Sequence, residues 1–365
     1  MGDLEGLRVG IWVHELVDRD GRLMVGGVQT YVFALAGSMS SSGASVEVIH
    51  PGPPLAQDEQ VPIPGIRAVA PDVWKAGSRS GYDVGIAANC HARPGKLPGR
   101  TIGIQHGIYW DRPSATVRTG WGPTDRLASA ARAVHHHRVV ERYDHLVCVD
   151  YNFPNCTAAL RPPLDWSKLS VIPNFAPEAE EPDFDRPVRR LVFSRRFVRH
   201  RGTDVFADAV RHLRDAGWEG AVALFGEGPE EEELRRAFDG LDGVSWGRLS
   251  YQNRLEAFSA DAVAVVPSVS TEGTSLTCLE AWARGSVVAS TPVGGLSNLV
   301  VDGVTGFLAP PDGRAFGELL LRIVDLPIAT LSTVRDTAFR ASQGAFGLSR
   351  WRRAWRAILT SGDAG

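Results

Sequence analysis

Lysine is almost absent from this chain of 365 residues: Lys75, Lys96 and Lys168 stand alone among 39 basic side chains, and arginine supplies the rest. Against 42 acidic residues the formal net charge is −3. The chain therefore lacks the basic field that dominates nucleic-acid binding, and a nucleic-acid partner is excluded. Cysteine is scarce as well. Cys90, Cys148, Cys156 and Cys278 are scattered without a C-x-x-C pair, which argues against a disulfide framework or a zinc cluster and for a reducing compartment. No apolar run approaches the roughly 20 residues that span a bilayer. The acidic start through Asp3 and Glu5 has neither the basic opening of a signal peptide nor the Ser/Thr of a myristoylation signal. Together these absences lead to the expectation of a soluble, cytoplasmic protein.

What is present is material for two packed cores, at about 100–200 residues per domain. Short apolar runs at 7–13, 45–49, 84–88, 101–104, 146–149 and 169–172 read as strands, with helical spacing at 28–42 and 124–141. The pattern restarts further on. Residues 191–194, 221–225, 244–246, 262–266 and 287–290 are strand-like, while 203–216, 229–238, 253–258 and 275–284 are helix-like. Such alternation predicts parallel sheets covered by helices on both faces. The Pro- and acid-rich stretch 175–187 has no hydrophobic period and reads as a linker. The expected organisation is an N-terminal domain over 1–174, a C-terminal domain over 188–345, and a final helix within 346–365 able to pack back on the first domain.

Residues 267–285, PSVSTEGTSLTCLEAWARG, hold the densest chemistry. A buried strand ends, small polar residues follow, and a helix starts near Ser275. Gly273-Thr274-Ser275-Leu276 offers unpaired backbone N–H groups at the positive end of a helix dipole, which suits an anion. Glu272 and Glu280 flank that start, Glu280 about one and a half turns into the helix, within reach of a hydroxyl-bearing group beside the anion.

This stretch, continued through Val287, Gly294-Gly295 and the run from Asp302 to Leu308, resembles the signature P-S…E-G…E-A…G-x-V-V-A-S…G-G…D-G-x-x-G of retaining glycosyltransferases of family four. The resemblance extends through most of the C-terminal half. The run from Arg196 to Gly202 is similar to the family's G-R-L…K-G segment, Gly226-Glu227-Gly228-Pro229 to its G-x-G-P turn, and Val171-Ile172-Pro173-Asn174 to its V-I-P-N run. The N-terminal half matches more thinly, at Gly26-Gly27-Val28 and Gln105-His106-Gly107.

The resemblance implies the GT-B fold, two Rossmann-like domains facing each other across a cleft that closes during the reaction. It implies that Glu280 hydrogen-bonds a nucleotide ribose, that Glu272 holds hydroxyls of a donor sugar, and that the backbone of 274–276 contacts sugar and diphosphate. Arg196 and Arg201 would grip the diphosphate. Gly26 and Gly27 would let backbone approach it closely, His106 would lie near the transferred sugar as a polar contact, and the nucleobase would sit near 246–250, with Arg248. Two residues depart from the pattern. Arg201 replaces the family's Lys, keeping the charge with a different geometry. Arg195 replaces its Gly, and either crowds the phosphate site or lies on the surface; the five-residue step to Arg201 favours Arg196 as the inward residue.

Other signals are weaker. Asp183-Phe184-Asp185 is a D-x-D string placed in the linker rather than at a strand end, so a solvated linker is the better reading than a metal site. Gly226-Glu227-Gly228 lacks the third glycine of a dinucleotide fingerprint. His135-His136-His137 point different ways on a helix and make no metal site. A solvated basic face is the first reading of 124–142, a peripheral membrane contact the second. Tyr109-Trp110-Asp111-Arg112 and Trp121 could stack on a sugar acceptor, or simply pack as loop residues. Cys90 has no evident base beside it and reads as structural.

The expectation is a metal-independent retaining glycosyltransferase, without a resident cofactor, that moves a sugar from a UDP-, GDP- or dTDP-linked donor to an acceptor hydroxyl. Its rivals are a sugar-nucleotide epimerase or hydrolase of related architecture and a non-catalytic sugar-nucleotide-binding protein.

Overall fold

The computed structural model describes residues 4–59, 62–63, 65–77, 81–91, 95–108, 122–160, 165–270 and 272–361. Its elements run β1 (Arg8–Trp12), α1 (Gly27–Ser41), β2 (Ser45–His50), β3 (Ile66–Ala68), α2 (Pro71–Ala76), β4 (Val84–Ala87), β5 (Arg100–Gln105), α3 (Pro123–Val140), β6 (His145–Cys148), α4 (Asn152–Leu160) and β7 (Leu169–Val171). A second series follows. It comprises β8 (Arg190–Ser194), α5 (Thr203–Asp215), β9 (Ala221–Phe225), α6 (Glu231–Ala237), β10 (Val244–Gly247), β11 (Ala262–Val266), α7 (Leu276–Ala283), β12 (Val287–Ser290), α8 (Leu296–Leu299), β13 (Phe307–Leu308), α9 (Gly313–Val324), α10 (Ile328–Gln343) and α11 (Leu348–Thr360). Two compact units result: Met1–Gly107, Ala131–Pro173 and Ser349–Gly365 form one, Ile108–Ala130 and Asn174–Leu348 the other.

Each unit is built on one parallel sheet. The first has the order β3-β2-β1-β4-β5-β6-β7 and the second β10-β9-β8-β11-β12-β13. The central strands are apolar along their whole length: β4 and β11 bury every residue. That is what a strand covered by helices on both faces requires. In both sheets the strand order reverses beside the first strand of the series, between β1 and β4 and between β8 and β11. Loops leaving neighbouring strands there diverge to opposite faces and open a crevice at the carboxyl ends, where such sheets bind ligands.

Side-chain spacing explains the covering helices. On α5, Val205, Phe206, Ala209, Val210 and Leu213 recur at helical intervals and are buried, with Phe206 stacked on Phe193 of β8 at 4.8 Å between ring centroids. Helix α9 starts where the Asp312 side chain accepts a hydrogen bond from the Ala315 amide at 2.9 Å. The stretch read as helical at 253–258 is a short 3-10 turn over Arg254–Ala257 instead.

Residues 177–189 carry no regular structure, yet they are strapped to the second unit. The buried guanidinium of Arg335 on α10 donates to the carbonyls of Phe184 and Arg186 at 2.9 and 2.6 Å, and Gln343 bonds Pro177 O and Ala179 N. Asp183 pairs with Arg186 at 2.7 Å, and among the described residues no cluster of acids, histidines and cysteines is placed to hold a metal.

Most of α11 lies in the first unit. Trp351 and Trp355 are buried against Tyr31 of α1: the Trp355 Nε1–H donates to the Tyr31 hydroxyl at 2.7 Å, and the Trp351 ring meets Tyr31 edge-on at 5.1 Å. Arg100 of β5 adds a bond to Ile358 O at 2.7 Å. Emptying this contact removes the largest side chain α11 inserts. Trp355→Ala is expected to cost about 3–5 kcal/mol in urea unfolding; a loss below about 1 kcal/mol would mean α11 is not part of the first unit's core.

Candidate active site

The second unit's crevice is made by the loops after β8 and β11, and glycine lets them touch. Gly202 has φ +77°, and a Cβ there would overlap the Pro267 carbonyl. The backbone is tied across this gap by the Val269 N–H, which donates to His200 O at 3.1 Å. On the other side, Cβ atoms at Gly226 and Gly228 would overlap the carbonyls of Arg195 and Phe197. The two glycines that echo a dinucleotide fingerprint therefore serve close backbone packing that shapes the turn after β8.

That turn sends Arg195 inward. Its Nη1 donates to Ser268 Oγ at 2.9 Å and its Nη2 to Glu272 Oε1. The second oxygen of Glu272 is ion-paired with Arg201. The side chains of Arg195 and Glu272 are only 4% and 5% exposed, that of Arg201 30%. Neither a surface position for Arg195 nor the choice of Arg196 as the inward residue holds. Arg196 is exposed, while Arg195 bridges the two loops, because consecutive residues leaving a strand point to opposite sides. Burial lowers the Arg195 guanidinium to about 10, which leaves it charged at neutral pH. His200, between the arginines, is pushed down to about 4 by burial and then by Arg201, Arg195 and Arg196, so it is neutral. The main chain of Glu272 is held too, its carbonyl accepting from the Gly295 N–H at 2.6 Å.

Directly after Glu272 the chain enters α7. Thr274, Ser275 and Leu276 are buried, the Thr274 carbonyl accepts from Asn174 Nδ2, and Ser275 at the N-cap makes no side-chain capping bond. The first intrahelical bond at this end runs from Leu279 N to Ser275 O. The amides of Leu276, Thr277 and Cys278 precede that bond, at the positive end of the helix dipole. Glu280, on the same helix, is buried and accepts from Arg254 Nε at 2.7 Å. Burial raises its carboxyl above the usual range, and Arg254 opposes that shift. Arg254 itself stacks over the Tyr251 ring at 4.4 Å. Sequence reasoning passed over Arg254: nothing in a run read as helix marks a residue that meets Glu280 only through the tertiary fold.

Arg248 is less engaged. Its side chain is 71% exposed and pairs with Glu227 at 3.3 Å and Glu231 at 3.9 Å. In the first unit, Gly26 is the extended N-cap of α1, with no side-chain cap and Gly27 opening the helix. A Cβ at Gly26 would meet the amide oxygen of Gln29, the far end of a flexible side chain. His106 follows β5, its Nε2 on Ala88 O at 2.8 Å and its ring edge-on to Tyr31 at 5.1 Å. Burial pushes it down to about 4, so it is a neutral imidazole, consistent with a polar contact. Glu272, Arg201, 273–276 and Glu280 thus gather in the second unit, and Gly26, Gly27 and His106 in the first. Tyr109, Trp110, Asp111, Arg112 and Trp121 lie outside the described residues, as do the side chains of His136 and His137. On α3, Arg126, Leu127, Val134, His135 and Arg138 are exposed, and among the described residues no helix is long and apolar enough to cross a membrane.

Comparison with known proteins follows the same division. Residues 188–325 match the family model of Glycosyl transferases group 1. Sulfoquinovosyl transferase SQD2 of Arabidopsis thaliana is 31% identical over 113 residues, 30% of this chain and 22% of that protein. An exopolysaccharide phosphotransferase of Streptomyces coelicolor is 31% identical over 164 residues, 43% of this chain and 17% of that protein. The matched stretches are therefore a small part of both relatives. Among solved structures, sucrose-phosphate synthase from Thermosynechococcus elongatus superposes with a TM-score of 0.69 at 17% identity, over 98% of this chain and 100% of that one. Anabaena HepE in complex with UDP-glucose gives 0.68 at 13% identity, over 97% and 100%. The fold is GT-B, and the family match in the second unit supports a group 1 glycosyltransferase.

The Arg254–Glu280 pair has a pH signature. Because burial holds the Glu280 carboxyl up, its ionised form weakens the fold as pH rises past the unfolded carboxyl's value of about 4.3. Removing the compensating cation pushes the carboxyl higher still. Arg254→Met is therefore expected to lose more melting temperature relative to wild type at pH 8 than at pH 5; equal losses at both would mean the pair is electrostatically idle.

Proposed function

We propose that the protein is a retaining, metal-independent glycosyltransferase that transfers a sugar from a nucleoside-diphosphate donor to a hydroxyl acceptor. The observation that carries this reading is the grouping of Glu272, Arg201 and the uncapped start of α7 in the loops after β8 and β11. Breaking the bond between the anomeric carbon and the diphosphate develops negative charge on the leaving group. Guanidiniums and oriented amides stabilise that charge without a metal ion. The acceptor oxygen forms the new bond to the anomeric carbon from the leaving-group face, and its proton passes to a diphosphate oxygen. Arg201, the more accessible partner of Glu272, takes the diphosphate together with the first amides of α7; Glu272 holds sugar hydroxyls, and Glu280 the ribose. His106 is read as a polar contact to the transferred sugar, and the Gly26–Gly27 turn as backbone able to come close to the diphosphate. The names of similar proteins support this chemistry: one relative is a sulfoquinovosyl transferase, and one structural neighbour was solved with UDP-glucose.

A panel of UDP, GDP, dTDP and their sugars, followed by thermal melting, tests the donor. A ligand at a hundred times its dissociation constant stabilises the fold by about 2.7 kcal/mol, and unchanged melting across the panel would remove the donor site. With the responding nucleotide sugar, transfer to an added acceptor should survive EDTA, and Glu272→Gln and Arg201→Met should each lower turnover about ten- to a hundredfold. Isomerised or hydrolysed donor would instead mark an epimerase or hydrolase, and binding without turnover a non-catalytic module.

A further inference from the structure

We infer that Arg195 is a positioning residue for sugar recognition: it holds the Glu272 carboxylate aimed while the donor's diphosphate draws on Arg201. The inference rests on the reading of Glu272 as the acid that holds the donor sugar.

Three observations carry it. First, a guanidinium buried to this depth is weak evidence for stability, because desolvation can exceed the Coulombic return and an apolar side chain of similar volume often does as well. A buried arginine where the family signature has glycine therefore calls for a role beyond packing. Secondly, the guanidinium's orientation is fixed at both ends. Nη1 lies on Ser268 Oγ at 2.9 Å and Nη2 on Glu272. Ser268 is anchored in turn through its carbonyl, which accepts from the Thr291 hydroxyl at 2.5 Å, and Glu272 through its own carbonyl on Gly295 N–H. A planar fork between two anchored groups sets the carboxylate's rotation, which a single flexible cation cannot do. Thirdly, the two arginines differ in access. Arg195 is sealed, whereas Arg201 is 30% exposed on the turn after β8. An incoming diphosphate reaches Arg201, and when it competes for that cation one oxygen of Glu272 becomes available to sugar hydroxyls while the other stays on Arg195. The remaining titratable groups nearby do not take over this task. His200 is neutral, burial raises the Cys278 thiol to about 11, and Glu280 is occupied by Arg254.

The test separates recognition of sugar from recognition of diphosphate. Titration calorimetry measures UDP-glucose and UDP, or GDP-mannose and GDP if the wild type prefers guanosine, against wild type, Arg195→Met and Arg195→Lys, with folding checked by melting. In Arg195→Met the affinity for the nucleoside diphosphate should stay within about threefold, while the affinity for the nucleotide sugar falls about tenfold or more relative to it. Arg195→Lys, which restores the charge but not the fork, should recover part of that ratio. An unchanged ratio in Arg195→Met, or a parallel loss of both affinities, overturns the inference and leaves the donor site standing. Should Arg195→Met fail to fold, the Lys variant decides alone: a reduced ratio supports the inference and an unchanged one overturns it. A wild type that binds none of UDP, GDP, dTDP or their sugars overturns the donor-site reading itself, which is visible without any variant.

Discussion

One carboxylate shared by two guanidiniums, out of reach of bulk water, is the constraint around which the second unit is arranged. Burying Glu272 with Arg195 and Arg201 is costly unless every charge finds its partner in good geometry. The fold meets that condition at the place where a doubly wound sheet is naturally open. The loops after β8 and β11 part there, and glycines at 202, 226 and 228 let backbone pack so closely that the ion pairs can form between them. Any shift of one loop against the other would leave a charge stranded in the interior, a penalty of several kcal/mol. Such a site is pre-organised rather than assembled on demand.

A second acid–base pair stands farther along α7. Glu280 with Arg254 mirrors Glu272 with Arg195 in that an arginine from a neighbouring loop partners a buried carboxyl. Between the two acids lie the uncapped amides of the helix start. On the proposed reading, the site alternates carboxyls that accept from hydroxyls with donors suited to phosphate, in the order ribose, diphosphate, sugar. On that reading, a nucleotide sugar would lie along the first turns of α7. That order is also why a leaving diphosphate could be stabilised by groups already in place.

Much of this was legible in the sequence, and the remainder was hidden for definite reasons. Eleven strand-like runs, from 7–13 to 287–290, all coincide with strands, most plainly where both-face burial writes a continuous apolar signal, as in β4 and β11. Among the described residues the strands without such a signal are β3, whose Ile66-Arg67-Ala68 is interrupted by an exposed arginine, and β13, with two residues. The clustering of Glu272, Glu280 and 273–276 was legible because a strand, a small polar loop and a helix start are local features. The Arg195 side chain was misplaced because its direction depends on the rotation of one residue at a strand end, which no periodicity encodes. Arg254 was missed because its partner lies 26 positions away. The stretch 175–187 looked unattached because its ties run to Arg335 and Gln343 on α10 through backbone carbonyls and an amide, groups that every residue carries.

The most direct measurement is a crystal structure of the chain with a nucleoside diphosphate bound. The account predicts the terminal phosphate at hydrogen-bonding distance from Arg201 and the first amides of α7, the ribose on Glu280, and Glu272 still held by Arg195. A nucleotide bound elsewhere on the second unit, or Arg195 abandoning Glu272 for the phosphate, would contradict it.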